Sequence, residues 1–147
     1  MTVDPATRAE LAHLNARFAW ALDLHDFDAL RDLLAPDVHY AGGNGEFHDA
    51  DAVIASFRAR PGTRTTRHGL GNLLLRDGPH ATVLGRSSWH TFAANTDPAR
   101  GVPLFMVADF HDIYARDAHG SWRITERVIA PVFRDDTLAS PRTPGAP

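Results

Sequence analysis

Two polar residues far apart in the sequence, Asp23 and His68, are of the types that perform acid–base chemistry as a pair. A carboxylate beside an imidazole holds the ring in one tautomer and raises its basicity. Such a pair acts as a general base that removes a proton next to a carbonyl or a leaving group. The prediction depends on whether the fold brings the two side chains together.

Asp23 ends a segment whose apolar residues recur at helical spacing. Asp4-Pro5 predicts the start of this helix, with Asp as the cap and Pro at the first helical position. Small residues share one strip of the helix with Asp23, which leaves space in front of its carboxylate. The buried stripe beside that strip consists of Leu11, Leu14, Phe18 and Leu22.

Two further helices precede the strands. Asp26 predicts the cap of a second helix that buries Leu33 and Leu34 and ends before Pro36. A short strand is predicted at 38–40, and either Asp49 or Asp51 caps a third helix. After residue 63 the pattern predicts four long strands, at 67–75, 81–93, 104–114 and 121–132. Helices followed by a curled antiparallel sheet indicate an α+β fold shaped as a cone with a concave interior.

Strand alternation suggests which side chains accompany His68. Residues His68, Leu70 and Asn72 fall on one face, so Asn72 is a candidate donor to a substrate or an oxyanion. In the last strand Arg127 shares a face with Arg123 and Thr125, a pattern typical of a solvated side. Two acidic residues are interpreted as partners of surface arginines: Asp112 and Glu126.

Length and composition limit the functional classes. The 147 residues carry a net charge of −3 and no cysteine, so the chain is predicted as one domain, residues 1–147, without disulfides or a thiolate metal site. The sequence has no basic patch of the type that binds nucleic acid. No apolar run approaches the ~20 residues of a membrane span. We therefore expect a cytoplasmic protein whose end, residues 137–147, is a disordered tail.

The sequence contains no motif that is typical of metal or nucleotide chemistry. The histidines His80, His90 and His111 share no evident common face, and no His-Glu-x-x-His segment occurs. Neither a Gly-x-Ser-x-Gly elbow nor a phosphate-binding loop is present. The sequence therefore predicts no metal and no cofactor.

Several segments, taken in order, resemble one protein family. They are 18–23, 26–30, 34–38, Thr66-Arg67-His68 with Asn72, 77–81 and 120–124 with Arg127. Together they resemble the SnoaL-like branch of the nuclear-transport-factor-2-like superfamily, which includes scytalone dehydratase, bile-acid 7α-dehydratase and hexachlorocyclohexane dehydrochlorinase. The resemblance implies a cone-shaped α+β barrel of the cystatin-like type, a homodimer or a trimer, and catalysis without a cofactor.

The resemblance also implies a set of site residues. Asp23 and His68 match the acid–base pair of the dehydratases and the dehydrochlorinase, and Arg127 matches a pocket arginine of the latter. Phe18 stands where these enzymes have Tyr or Lys, so one donor is missing, and His90 lies near the second active-site histidine of scytalone dehydratase. Tyr40 is a candidate phenolic acid. The predicted substrate-binding residues are Phe18, Tyr40, Asn72, Trp89, His90, Phe110 and Arg127.

Three functional hypotheses follow. The first is a cofactor-independent lyase or isomerase that acts on a small, largely hydrophobic substrate through the pair Asp23–His68. The second is a non-catalytic ligand-binding or assembly module, for which a cone filled by Phe and Trp side chains would be the sign. The third is a polyketide cyclase or an epoxide hydrolase that uses a different acid; the epoxide hydrolases of this fold use an Asp–Arg–Asp arrangement.

Overall fold

Three helices and six strands make up the residues described in this computed structural model, which are 3–96, 101 and 103–141. The helices are α1 (Pro5–Asp23), α2 (Phe27–Arg31) and α3 (Ala50–Arg58). The strands are β1 (Leu34–Gly42), β2 (Gly45–Phe47), β3 (Thr65–Asp77), β4 (Val83–Ala94), β5 (Leu104–Arg116) and β6 (Trp122–Arg134). The predicted α+β class and the four long strands are confirmed.

The strands form one mixed sheet in the order β2-β1-β6-β5-β4-β3. The pair β1–β6 is parallel and the remaining pairs are antiparallel. Helix α1 packs against β3 at one edge of the sheet, while α3 packs against β1 near the other. The helices therefore cover one face of the sheet, and the core lies between them and that face.

Three aspartates begin the helices as their caps. Asp4 accepts hydrogen bonds from the first turn of α1, Asp26 accepts one from Ala29, and Asp49 accepts one from Ala52. Each satisfies a backbone N–H that has no partner within its helix. Of the two candidate caps for α3, Asp49 performs this role, while Asp51 instead pairs with Arg31 at 2.7 Å.

The predicted extent of the second helix is wrong. Helix α2 ends at Arg31, and Leu34 already belongs to β1, where it pairs with Ile124. The backbone N–H of Ile124 donates to the carbonyl of Leu33, so the sheet competes successfully for this segment. Pro36 lies where the β1–β6 register shifts, a place in a strand that tolerates its missing N–H.

The turn after α1 fixes the position of Asp23, the last residue of the helix. His25 has a left-handed φ of 57°. In this conformation the N–H of His25 donates to the carbonyl of Leu22, and the N–H of Asp26 donates to the carbonyl of Ala21. This is a Schellman motif, which satisfies the last carbonyls of the helix. The chain therefore reverses directly after Asp23, whose side chain is buried against β3.

The predicted tail begins within the described residues. Asp136–Leu138 forms one turn of 3-10 helix, and two carbonyls beyond β6 accept side-chain hydrogen bonds, Leu138 from Arg64 and Ala139 from Asn95. The remaining residues of the predicted tail, 142–147, lie outside the described part. Of the helices that are described, none combines the length and apolar character needed to cross a membrane.

Candidate active site

Asp23 and His68 meet at the end of α1. The Nδ1 atom of His68 lies 2.6 Å from Oδ1 of Asp23, and the backbone N–H of His68 donates to Oδ2 at 3.0 Å. The Asp23 side chain is 3% exposed and that of His68 is 12% exposed. The pair predicted from the sequence therefore forms a two-point contact in a nearly water-free position.

Asp23 is held as a carboxylate by three donors. Burial by itself raises its pKa, but the hydrogen bonds and charge of His68, together with the hydroxyl of Thr66 at 2.8 Å, outweigh burial and lower the pKa. An ionised Asp23 has only acceptors, so Nδ1 of His68 must carry the proton. In the neutral imidazole Nε2 then bears the lone pair. Among the described residues Nε2 has no hydrogen-bond partner.

Strand β3 supplies all three donors from two of its residues, because alternate side chains point toward α1. Thr66 and His68 both reach Asp23, whereas the intervening Arg67 is exposed. Thr66 was not predicted as a site residue. Its position two residues before His68, on the same face of a predicted strand, was the available signal.

Arg127 is buried in the interior of the cone, as the resemblance implied, and does not lie on the solvated face that strand alternation indicated. Its side chain is fully buried, with Nε 2.7 Å and Nη2 2.8 Å from the two oxygens of Asp112. The β5–β6 register shifts between Ile113 and Tyr114, so both Ile124 and Arg127 point inward although they are three residues apart. This bulge breaks the alternation on which the sequence argument relied.

The ion pair has further polar partners that the sequence analysis also missed. Asn15 accepts from Nη2 of Arg127 at 2.6 Å and donates to the hydroxyl of Tyr114, which in turn donates to Asp112. Burial by itself lowers the pKa of Arg127, but Asp112 outweighs burial and raises it, so the guanidinium stays charged. Removing one partner of such a pair costs about 3–5 kcal/mol of stability. A polar Asn15 inside an apolar helical stripe was the sequence signal.

Three aromatic rings surround the Arg127 guanidinium. Its central carbon lies 4.4 Å from the ring centre of Phe18, 5.5 Å from that of Trp89 and 5.1 Å from that of Phe110. Trp89 and Phe110 stack at 4.8 Å. Three of the predicted substrate-binding residues therefore pack against a fourth. The Nη1 atom of Arg127 is buried, and no described residue offers it a hydrogen-bond partner.

Tyr40 borders this cluster from β1. It pairs with Arg127 across the parallel strands and packs edge-on against Phe57. Burial raises the pKa of Tyr40 to about 12, although the nearby charges of Arg127 and Arg60 act to lower it. Its hydroxyl is therefore protonated at neutral pH and can donate a hydrogen bond.

The remaining two predicted site residues lie away from Asp23–His68. Asn72 is exposed, has a φ of 51° and stands where the β3–β4 register shifts, so simple alternation from His68 does not extend to it. It lines a groove of about 450 Å³ beside the first half of α1. His90 is exposed on the opposite face from buried Trp89, and its ring covers Gly69, where any Cβ would collide with it.

A smaller cavity of about 200 Å³ is lined by Thr66, the hydroxyl partner of Asp23, while neither Asp23 nor His68 belongs to its lining. Its walls come from the end of α1 through Leu22, from α3 through Phe57 and from the start of β3 through Thr66. The Thr66 hydroxyl contacts Asp23, so this cavity reaches the polar network. Deeper in the cone the space is filled by Arg127 and its aromatic neighbours.

One group of potential metal ligands occurs among the described residues, on the β1–β2 hairpin. Its members His39, Glu46 and His48 have ligand atoms within 4.8 Å of one another. Both ring nitrogens of His39 already face carboxylates, Glu126 and Glu46, each at 2.9 Å. This surface group is separate from the cavity, whose walls it does not line.

A comparison with protein families identifies the family to which this fold belongs. A profile of the SnoaL-like domain matches residues 5–128. The chain belongs to the SnoaL-like family. A search of curated proteins finds no match for this SnoaL-like chain.

Solved structures agree on the fold of this SnoaL-like protein. ActVI-ORFA from Streptomyces coelicolor has a TM-score of 0.75 at 16% identity, covering 86% of this chain and 98% of that one. Hexachlorocyclohexane dehydrochlorinase (LinA) type 2 has a TM-score of 0.73 at 16% identity, covering 96% and 91%. A protein of unknown function with a cystatin-like fold from Nostoc punctiforme has a TM-score of 0.75 at 21% identity, covering 94% and 98%. At these identities the likeness establishes a shared fold.

Proposed function

We propose that this protein is a cofactor-independent lyase or isomerase, of the dehydratase or cyclase type, in which His68 is the general base. The supporting observation is the asymmetry of the His68 ring: Nδ1 is held by Asp23 at 2.6 Å, whereas Nε2 has no partner among the described residues. A base whose proton-accepting atom is free and whose other nitrogen is fixed is ready to remove a proton from a bound substrate.

In the proposed mechanism Nε2 of His68 removes a proton next to a carbonyl or a leaving group. The imidazolium that forms is stabilised by the Asp23 carboxylate, which Thr66 keeps in place. A positioned base of this kind contributes about 10²–10⁴ in rate. The family likeness to a dehydrochlorinase supports the same chemical class, since elimination begins with proton removal.

Two groups are candidates for stabilising the developing negative charge. The Tyr40 hydroxyl stays protonated and packs beside Phe57, which lines the cavity. Arg127 holds a fixed positive charge in the interior, and its buried Nη1 has no hydrogen-bond partner among the described residues. Phe18 supplies no polar atom; its ring packs against the Arg127 guanidinium.

A ligand-binding module is the second candidate function, and one observation favours it. The interior is filled by Trp89 and Phe110, which stack on each other and pack around Arg127, as expected of a non-catalytic module. An epoxide hydrolase is less well supported, because the described contacts of Arg127 include a single carboxylate, Asp112, and no Asp–Arg–Asp arrangement.

Proton exchange at an activated carbon tests the proposal without knowledge of the natural substrate. The probe is 2-tetralone, a bicyclic ketone, incubated with the protein in D₂O without added metal or cofactor and followed by NMR. The native protein is expected to accelerate exchange of the α-protons, and His68→Ala is expected to lose at least a hundredfold of that acceleration.

The matched control is His39→Ala, which removes a histidine whose two ring nitrogens both face carboxylates. It is expected to retain activity within twofold of the native protein. If His68→Ala and His39→Ala exchange the probe equally fast, His68 is not the base and the ligand-binding function takes precedence.

A further inference from the structure

The cavity beside Asp23 carries positive charge without a matching carboxylate. Three arginines line it, Arg58, Arg60 and Arg64, and none of its lining residues is acidic. Arg58 is neutralised by Asp28 at 3.2 Å. Among the described residues neither Arg60 nor Arg64 pairs with an acidic side chain. Two uncompensated cations beside one small cavity are costly unless an anion joins them.

Arg64 is the more deeply buried of the two, with 4% of the residue exposed. Its Nη1 atom donates to the side chain of Asn95 and to the carbonyl of Leu138. Its Nε atom is buried and has no partner among the described residues, and neither of these two hydrogen bonds uses Nη2. The side chain is therefore fixed at one nitrogen, while the described residues place no acceptor at its opposite edge.

The same edge of another arginine in this protein binds a carboxylate. Arg127 presents Nε and Nη2 to the two oxygens of Asp112 at 2.7 and 2.8 Å, the bidentate geometry that suits a planar carboxylate. Arg64 lines the cavity, and its Nε atom is buried without a hydrogen-bond partner among the described residues. Burial and the positive charge of Arg60 lower the pKa of Arg64 to about 10, as expected for a cation that lacks a counter-ion.

The other walls of the cavity indicate the kind of molecule that carries the anion. Leu22, Phe27 and Phe57 are apolar, and Thr66 connects the cavity to Asp23 and His68. Thr66 and His68 lie at alternate positions of β3, and Arg64, which directly precedes the strand, is buried like Thr66. A ligand with its anion at Arg64 and its apolar body against Leu22 and Phe57 contacts Thr66, whose hydroxyl binds Asp23.

We propose that Arg64, assisted by Arg60, binds a carboxylate of the substrate, so that the substrate is a small carboxylic acid with an apolar or aromatic skeleton. This inference rests on the proposed function, because it is that function that makes the bound acid a substrate. A free phosphate ion would satisfy the two cations but would make no use of the apolar walls, which is why a carboxylic acid is favoured.

Binding of 2-naphthoate to the full chain, measured by calorimetry at low ionic strength, tests the proposal. The neutral 2-naphthamide has nearly the same shape, and we expect it to bind at least tenfold more weakly than the naphthoate. Arg64→Gln is expected to raise the Kd for naphthoate at least tenfold and Arg60→Gln at least threefold, while the Kd for naphthamide stays unchanged in both.

Arg86→Gln is the charge-matched control, since Arg86 is an exposed arginine of β4 that pairs with Asp109 at 3.0 Å. It is expected to change the Kd less than twofold. Equal binding of naphthoate and naphthamide by the native protein, or an equal effect of Arg86→Gln and Arg64→Gln, would overturn the proposal. Displacement of naphthoate by equimolar inorganic phosphate would also overturn it, in favour of a free phosphate site.

Two further variants keep the outcome independent of folding and of catalysis. Arg60 is only partly buried, so Arg60→Gln and the naphthamide comparison remain decisive if Arg64→Gln does not fold. His68→Asn is expected to bind naphthoate like the native protein while losing proton exchange. One outcome separates the two proposals. If His68→Asn loses exchange but the native protein binds naphthoate no better than naphthamide, the proposed function stands and the carboxylate site is refuted.

Discussion

Two histidines in this protein contact carboxylates at similar distances, yet their surroundings differ in the feature that matters for catalysis. His68 has one nitrogen on Asp23 and the other without a partner, and both side chains are nearly buried. His39 has both nitrogens on carboxylates, Glu126 and Glu46, in a position that is 32% exposed. A histidine with both nitrogens engaged has no atom left to accept a proton.

The two sites also differ in the charge state that each environment favours. Two acceptors facing His39 require both nitrogens to donate, and the hydrogen bonds to Glu126 and Glu46 raise the pKa of His39. At Asp23 the three donors lower the pKa of the carboxylate instead. The surface pair therefore stabilises a charged histidine, whereas the buried pair fixes one tautomer and orientation of its ring.

Replacement of the carboxylates should separate the two sites most strongly. Asp23→Asn removes the negative charge that stabilises the imidazolium and offers Nδ1 of His68 a weaker acceptor. We expect the rate of 2-tetralone exchange to fall about a hundredfold. Glu126→Gln, the matching change at His39, should leave the rate within twofold. Comparable losses in both variants would mean that the buried position of Asp23 confers nothing specific.

Loss of the third donor should have a smaller effect. Thr66→Val leaves the two contacts between Asp23 and His68 but removes the hydroxyl at 2.8 Å. We expect a three- to tenfold lower rate of exchange, because the carboxylate is held less precisely. Thr66→Ser restores the hydroxyl and should recover most of the rate. An equally slow serine variant would assign the defect to lost packing.

The stability of the buried pair should depend on pH in the acidic range. The pKa of Asp23 is lowered on folding, so its contribution is present above the unfolded value of 3.8 and is lost as the pH falls through the folded value. Chemical denaturation should show the largest gap between native protein and Asp23→Asn near neutral pH, and a smaller gap below pH 3.8. A gap that does not change with pH would contradict the role of charge.

The surface pair should have the opposite pH dependence and the smallest effect. The pKa of His39 is raised on folding, so its contribution is complete below the unfolded value of 6.5 and is lost as the pH rises through the folded value. His39→Gln should therefore lower the melting temperature more at pH 5.5 than at pH 9. An identical shift at both values would mean that protonation of His39 does not stabilise the fold.

Local patterns identified the elements and the acid–base pair. Helix caps such as Asp4 and Asp26 are local signals, and long alternating strands after residue 63 follow from local patterning, so these features could be predicted. The meeting of Asp23 and His68 was expected from a resemblance, which carries the fold with it. Its distances and its third donor were not, because they depend on how α1 lies against β3.

The sequence by itself determined the α+β order, the caps and the two residue types that could act as acid and base. Only the tertiary structure decided which side chains face the interior. A bulge turns Arg127 inward, a register shift ends the shared face before Asn72, and the end of α3 brings Arg60 beside Arg64. The reason is physical: alternation is a property of one strand, whereas bulges and cavities arise from the packing of several elements.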